Sequence, residues 1–133
     1  MKKLLLDTHA LLLSIGYSDE LSPRVIENIS NKENEVFVSA ISLWEIALKH
    51  SLGKLELNFS IEDIPKYCEQ MGFYLMPLTP LEALGFLRLP SKKNHKDPFD
   101  RMLIYQCIRY NYILVSKDDK MKFYENDGLE CIW

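Results

Sequence analysis

Leu4-Leu5-Leu6 is an unbroken apolar run that stops at Asp7. A short run without polar alternation suits a strand buried on both faces. Val36-Phe37-Val38, Phe73 to Met76, Tyr112 to Val115 and Leu129 to Ile132 repeat the pattern. Helical signals fill the intervals. A helix is expected over residues 8–15. Ser22-Pro23 reads as N-cap and first helical residue, with Val25, Ile26 and Ile29 as the apolar face. A third helix is expected to start near Ser42 and to stop at Gly53. Ser60 is expected to cap a fourth that ends at Gly72, with Pro65 marking a kink or a later start. Thr79-Pro80-Leu81-Glu82 is a capping box with proline at the first helical position. After a polar loop, Ser91 to Lys96, the run Asp97-Pro98-Phe99-Asp100 opens a helix to about Tyr110, and Met121 to Tyr124 forms a short turn or helix. Five short strands alternating with helices predict an α/β fold with a mainly parallel sheet. No repeat or linker breaks the pattern, so residues 1–133 read as one domain.

Composition narrows the class further. A chain of 133 residues buries roughly two thirds of its unfolded surface and needs neither disulfides nor a structural metal for its core. With 47% apolar and 26% charged residues, wholesale disorder is excluded. No apolar run approaches the ~20 residues of a membrane helix. Met-Lys-Lys-Leu-Leu-Leu imitates a signal peptide, but Asp7 and His9 interrupt it, and a cytoplasmic location is expected. Cys68, Cys107 and Cys131 are an odd, widely spaced set, read as buried free thiols. The net charge of −3, from 19 acids against 16 bases, argues against a simple nucleic-acid binder.

The acids point to a site. In open α/β sheets, ligands bind outside the carboxyl ends of the strands. Asp7 ends the first strand, and Asp118 and Asp119 follow the fourth. Glu45 and Asp100 are expected in the first turns of their helices. Each acid also has a structural reading. Glu45 would complete a capping box with Ser42, Asp97 would cap its helix with Asp100 as its N3 partner, and Asp118 and Asp119 would form a turn. Asp7 is harder to assign to structure alone, because a carboxylate between two apolar runs is desolvated and needs a partner or a cation. Several carboxylates at one sheet edge repel one another. A divalent cation with a preference for hard oxygen ligands, Mg²⁺ or Mn²⁺, removes the conflict and supports hydrolysis at phosphorus. Other chemistries lack their residues: Asp7-Thr8-His9-Ala10 stands where a dinucleotide fingerprint would, no P-loop or nucleophile elbow occurs, and His9, His50 and His95 lack zinc spacing. His95 reads as a solvated loop histidine rather than a substrate contact, and Trp44 as core by default, with a dimer contact or a base-stacking platform as the alternatives.

Four segments carry a family likeness. Leu4-Leu5-Leu6-Asp7-Thr8-His9-Ala10-Leu11-Leu12 resembles the opening of PIN-domain proteins of the VapC toxin type. Ser42-Leu43-Trp44-Glu45-Ile46-Ala47-Leu48-Lys49, with Leu52-Gly53-Lys54-Leu55, resembles the second motif of that group. His95-Lys96-Asp97-Pro98-Phe99-Asp100-Arg101-Met102-Leu103-Ile104 resembles the third, and Leu114-Val115-Ser116-Lys117-Asp118 the fourth. The resemblance implies a three-layer α/β/α fold and an Mg²⁺- or Mn²⁺-dependent ribonuclease. Asp7 and Asp100 would be its main metal ligands, and Glu45 and Asp118 would complete the acidic quartet. Thr8, Ser116 and Asp97 would support them. Lys49, Lys96 and Arg101, in or near these segments, would form part of a basic rim that meets RNA unless they are merely solvated. It also implies a homodimer and a small antitoxin partner. Leu11, Leu12, Ile15, Val25, Ile26 and Ile29 would offer the antitoxin an apolar surface, unless these stripes are core. Leu13-Ser14-Ile15 departs from the tryptophan that relatives often carry here, which bears on partner choice.

Rival readings are weaker. A haloacid-dehalogenase-type phosphatase wants an acid at position 9, where His9 stands. A phospho-receiver wants paired acids before Asp7, and none precede it. Within the family, an RNA-processing nuclease that is no toxin, or a non-catalytic interaction module, are the alternatives.

Overall fold

The computed structural model describes residues 1–133. Its five strands are β1 (Lys3–Leu6), β2 (Glu35–Ser39), β3 (Tyr74–Met76), β4 (Ile113–Val115) and β5 (Glu130–Ile132). They form one sheet in the order β3-β2-β1-β4-β5, and every pairing is parallel. The helices are α1 (Thr8–Gly16), α2 (Pro23–Ser30), α3 (Ala40–Ser51), α4 (Ile64–Gln70), α5 (Pro80–Gly85) and α6 (Pro98–Tyr110).

The leucine run explains the layering. Leu4, Leu5 and Leu6 have no exposed surface. The strand pleat sends alternate side chains to opposite faces. Leu4 and Leu6 pack with Ala10 and Leu11 of α1, Val25 of α2, and Ile64 and Cys68 of α4. Leu5 packs with Leu103, Ile104 and Cys107 of α6, together with Met121 and Tyr124. Helix α3 feeds both cores, Ile46 into the first and Ile41 into the second. The result is three layers, α/β/α, around a central β1. No helix is long and apolar enough to cross a membrane.

Local signals place most boundaries. Ser22, Thr79 and Asp97 each accept a hydrogen bond from the backbone of the helix they cap, with proline in the first turn that follows. Helix α4 starts late, with Pro65 in its first turn and a 3₁₀ turn over Ile61–Asp63 before it. That position suits a residue without an N–H. Gly72 takes φ +75, the left-handed conformation that ends a helix cheaply only at glycine.

Two expectations shift. Helix α3 begins at Ala40, because the Ser39 hydroxyl accepts from the Ile41 amide directly at the end of β2. Glu45 therefore sits in the second turn, and Ser42 is a buried helical residue rather than a cap. Asp119–Asp127 is a nine-residue 3₁₀ helix, longer than the expected turn, held down by Met121 and Tyr124 in the second core. Cys68 and Cys107 are buried free thiols as expected, whereas Cys131 is half-buried.

Candidate active site

The sheet order puts β1 beside β4, where the winding direction of the chain reverses. The crevice outside the carboxyl ends of strands at such a point is where open α/β folds bind ligands. A cleft of about 460 Å³ opens there. Asp7, Glu45, Asp100 and Asp118 all line it, with Thr8, Lys49, Asp97 and Lys117 around them. Residues more than a hundred positions apart thus meet at one sheet edge.

Each carboxylate is held differently. Asp7 is the N-cap of α1, and its Oδ1 accepts from the Ala10 amide at 2.7 Å. Its own amide donates to the Val115 carbonyl at 3.0 Å, which ties the end of β1 to β4. Glu45 is buried. Its Oε1 accepts from the Thr8 hydroxyl, and its Oε2 meets Lys49 Nζ at 2.6 Å, one helical turn on. Thr8 Oγ1 also shares a 3.1 Å hydrogen bond with Ser42 Oγ, which gives that buried serine a partner. Asp118 caps the 3₁₀ helix through the Lys120 amide at 3.0 Å, and its own amide donates to Ser116 Oγ at 3.2 Å. The Ser116 hydroxyl also acts on the Asp7 carboxyl, drawing it down against the effect of burial. Asp100 follows Asp97, which accepts from the Asp100 amide at 3.0 Å.

The electrostatics follow from this crowding. Burial pushes the Asp7 carboxyl above the ordinary carboxylate range, against the pull of the hydrogen bonds from Ser116 and Ala10. Asp100 is pushed up to about 7, first by burial and then by the charges of Asp97, Asp7, Glu45 and Asp118. The upward shifts at Asp7 and Asp100, in a cleft lined also by Glu45 and Asp118, mark a donor set that fits a divalent cation.

The neighbouring residues divide. Asp119 points to solvent, its side chain 95% exposed beside Lys122, so Asp118 is the aspartate that faces the cleft. Lys49 reaches the cleft. Lys96 is exposed and does not line it. Arg101 is committed elsewhere: its guanidinium donates to the Leu89 and Pro90 carbonyls, both at 3.1 Å, and covers the Phe86 ring. Of the apolar stripes, Leu11 and Val25 are fully buried core, while Ile26 is exposed. Trp44 is not core. It is 60% exposed, edge-on to Phe99 at 5.1 Å, above a separate apolar groove of about 290 Å³.

His95 is the largest departure from the sequence reading. It is buried rather than solvated, with Nδ1 2.8 Å from the Tyr124 hydroxyl and Nε2 3.6 Å from Asp100 Oδ2. Burial holds its ring below the usual histidine range, against the pull of Asp118 and Asp97, so the ring is neutral near pH 7. His9 and Lys117 also line the cleft. The only sequence signal for His95 was its place two residues before Asp97 in the third motif.

Comparison with known proteins gives a consistent answer. The family model of the PIN domain matches residues 4–129. Ribonuclease VapC22 of Mycobacterium tuberculosis is 24% identical over 137 aligned residues, with both chains covered in full. Among solved structures, VapBC2 from Rickettsia felis, bound to a DNA fragment from its promoter, superimposes with a TM-score of 0.68 at 16% identity, covering 98% of this chain and 97% of the other. VapBC-1 from nontypeable Haemophilus influenzae gives 0.69 at 17% identity, covering 98% and 96%. At these identities the structural likeness is one of fold.

Proposed function

The chain belongs to the PIN-domain family, and from that premise we propose that it is a divalent-metal-dependent endoribonuclease acting as the toxin of a toxin–antitoxin pair. The observation that carries this reading is the convergence of Asp7, Glu45, Asp100 and Asp118 on one cleft at the switch point of the sheet. The full-length likeness to a protein named as a ribonuclease supports the reaction class. The fold likeness to VapBC assemblies supports a small antitoxin as partner. We read residues 1–133 as one catalytic domain, active in the cytoplasm as a homodimer.

Asp7, Asp100, Glu45 and Asp118 would hold Mg²⁺ or Mn²⁺. When bound, such a cation offsets the carboxylate charge, activates water and stabilises charge at phosphorus. The remaining tasks fall to the protein. Thr8 and Lys49 fix Glu45 from two sides. Ser116 holds the turn that presents Asp118 by accepting from its amide and favours the charged form of Asp7. Asp97 anchors the helix start that presents Asp100. Lys49 and Lys117, at the mouth, meet the phosphates of single-stranded RNA.

The test is cleavage of single-stranded RNA by purified protein with Mg²⁺ or Mn²⁺. Cleavage is expected to stop with chelator and in Asp7→Asn, which retains its fold because asparagine caps a helix as well as aspartate. Equal cleavage by the variant refutes the metal-site reading. Induced expression should arrest growth, and the small protein encoded beside the gene should relieve the arrest. Cleavage without arrest would mark an RNA-processing nuclease instead.

A further inference from the structure

His95 is the group that the acidic quartet leaves unused. It lies on the loop before α6, folded back by a short antiparallel bridge between Lys92 and His95, with the His95 amide donating to the Lys92 carbonyl at 3.2 Å. The turn is pinned from outside by the Lys92–Asp127 ion pair at 2.7 Å. It drives the imidazole inward until 3% of the residue is exposed. Nδ1 is engaged by the fully buried Tyr124 hydroxyl. Nε2 is buried and has no hydrogen-bond partner. An orphaned buried nitrogen is costly and calls for an explanation.

Its surroundings supply one. Nε2 stands 3.6 Å from Asp100 Oδ2, and one donor atom each from His95, Asp100 and Asp118 lie within 4.8 Å of one another. A separation of 3.6 Å is too long for a hydrogen bond. It does suit two ligands of one ion, because bonds of about 2.1 Å place neighbouring donors about 3.0 Å apart and opposite donors about 4.2 Å apart. With its proton on Nδ1, facing the tyrosine oxygen, the ring presents the Nε2 lone pair to the carboxylates. A hydrogen bond on the distal nitrogen is the usual way to orient a ligating histidine.

Building on the metal-dependent reading, we propose that His95 is a nitrogen ligand of the centre, forming with Asp100 and Asp118 a mixed nitrogen–oxygen site that selects Mn²⁺ over Mg²⁺. Imidazole suits transition ions, whereas Mg²⁺ is served by oxygen donors and water. Tyr124 acts as a positioning residue through the ring.

Pulsed electron paramagnetic resonance on Mn²⁺ added to the metal-free protein tests the assignment without reference to activity. The native protein should show ¹⁴N coupling from a directly bound imidazole, and His95→Gln should lose it. His95→Gln should bind Mn²⁺ at least about tenfold more weakly, while Mg²⁺ affinity, measured by competition, moves less than about threefold. His9→Gln, which removes the imidazole that lines the cleft, should keep the coupling, and this variant carries the test if His95→Gln does not fold. Mn²⁺ bound with oxygen coupling alone, or nitrogen coupling that survives in His95→Gln, overturns the assignment and leaves the metal-dependent nuclease standing. No bound Mn²⁺ and no cleavage with either Mn²⁺ or Mg²⁺ overturns both.

Discussion

The Asp100 carboxyl titrates about 3 units above its ordinary value, from 3.8 to about 7, and this makes the metal-free fold pH-sensitive in a defined direction. The unfolded chain releases the proton near pH 4, whereas the folded chain keeps it until about pH 7. Between those values the folded state binds more protons, so stability falls as pH rises through the window and levels off above it. At 1.36 kcal/mol per pH unit the ceiling is about 4 kcal/mol. With 24% of the side chain in solvent, screening in an open cleft reduces this to roughly 2 kcal/mol. Asp100→Asn removes the ionisation and keeps the shape. In chelator at pH 8 it should melt about 6–10 °C above the native protein, taking ~3–5 °C per kcal/mol for a chain of this length. At pH 5, where the unfolded chain has released the proton but the folded chain still holds it, the gain should shrink to roughly a third, and it should vanish only near pH 3. Mn²⁺ or Mg²⁺ should raise the native melting temperature at pH 8 and leave the variant nearly unmoved. Calorimetric scans of both proteins at both pH values decide the matter. An equal gain at pH 5 and pH 8, or none at pH 8, would refute the argument that crowded carboxylates strain the metal-free site.

Further perturbations test the surroundings. Thr8→Val removes the donor to Glu45 and the partner of Ser42, and should cost about 1–3 kcal/mol in urea denaturation. Gln106→Leu strips the buried amide that accepts from Ser39 Oγ at 2.6 Å and donates to Glu82 Oε1 at 2.8 Å. Two orphaned polar groups should cost at least about 2 kcal/mol despite the conserved volume. Trp44→Ala should lower stability by less than about 1.5 kcal/mol, against the ~3–5 kcal/mol of a core tryptophan. A larger loss would contradict the exposed position of the ring.

What the sequence disclosed divides along range. The Leu4-Leu5-Leu6 run declares burial on both faces without any partner being known, and the caps at Ser22, Thr79 and Asp97 are decided within four residues. The start of α3 was not legible, because Ser39 and Ser42 are both competent caps. Pairing of β2 with β3, which reaches Ser39↔Met76, brings Ser39 to the helix start. His95 was misread for the same reason. Its neighbours Ser91 to Lys96 are polar, and the contact that buries it is made by Tyr124, 29 positions further on. Asp118 and Asp119 are neighbours of like chemistry, and only the turn after β4 aims one at the cleft.

Range also bears on what the net charge of −3 says about the proposed metal site. It averages over 19 acids, whereas the proposed metal chemistry would depend on how four of them are individually restrained. Asp7 is bound by its own cap, Glu45 by Thr8 and Lys49, and Asp118 by its 3₁₀ cap. Those restraints stabilise carboxylates with hydrogen bonds that need no ion. The Asp100 carboxylate receives no such bond. Its nearest candidate is His95 Nε2, at 3.6 Å. Burial first, and then the charges of Asp97, Asp7, Glu45 and Asp118, act on Asp100 without a hydrogen bond to offset them, and that residue is displaced to about 7. The least restrained carboxylate, beside the one orphaned imidazole nitrogen, is the place in this fold where a cation relieves the most unfavourable energy.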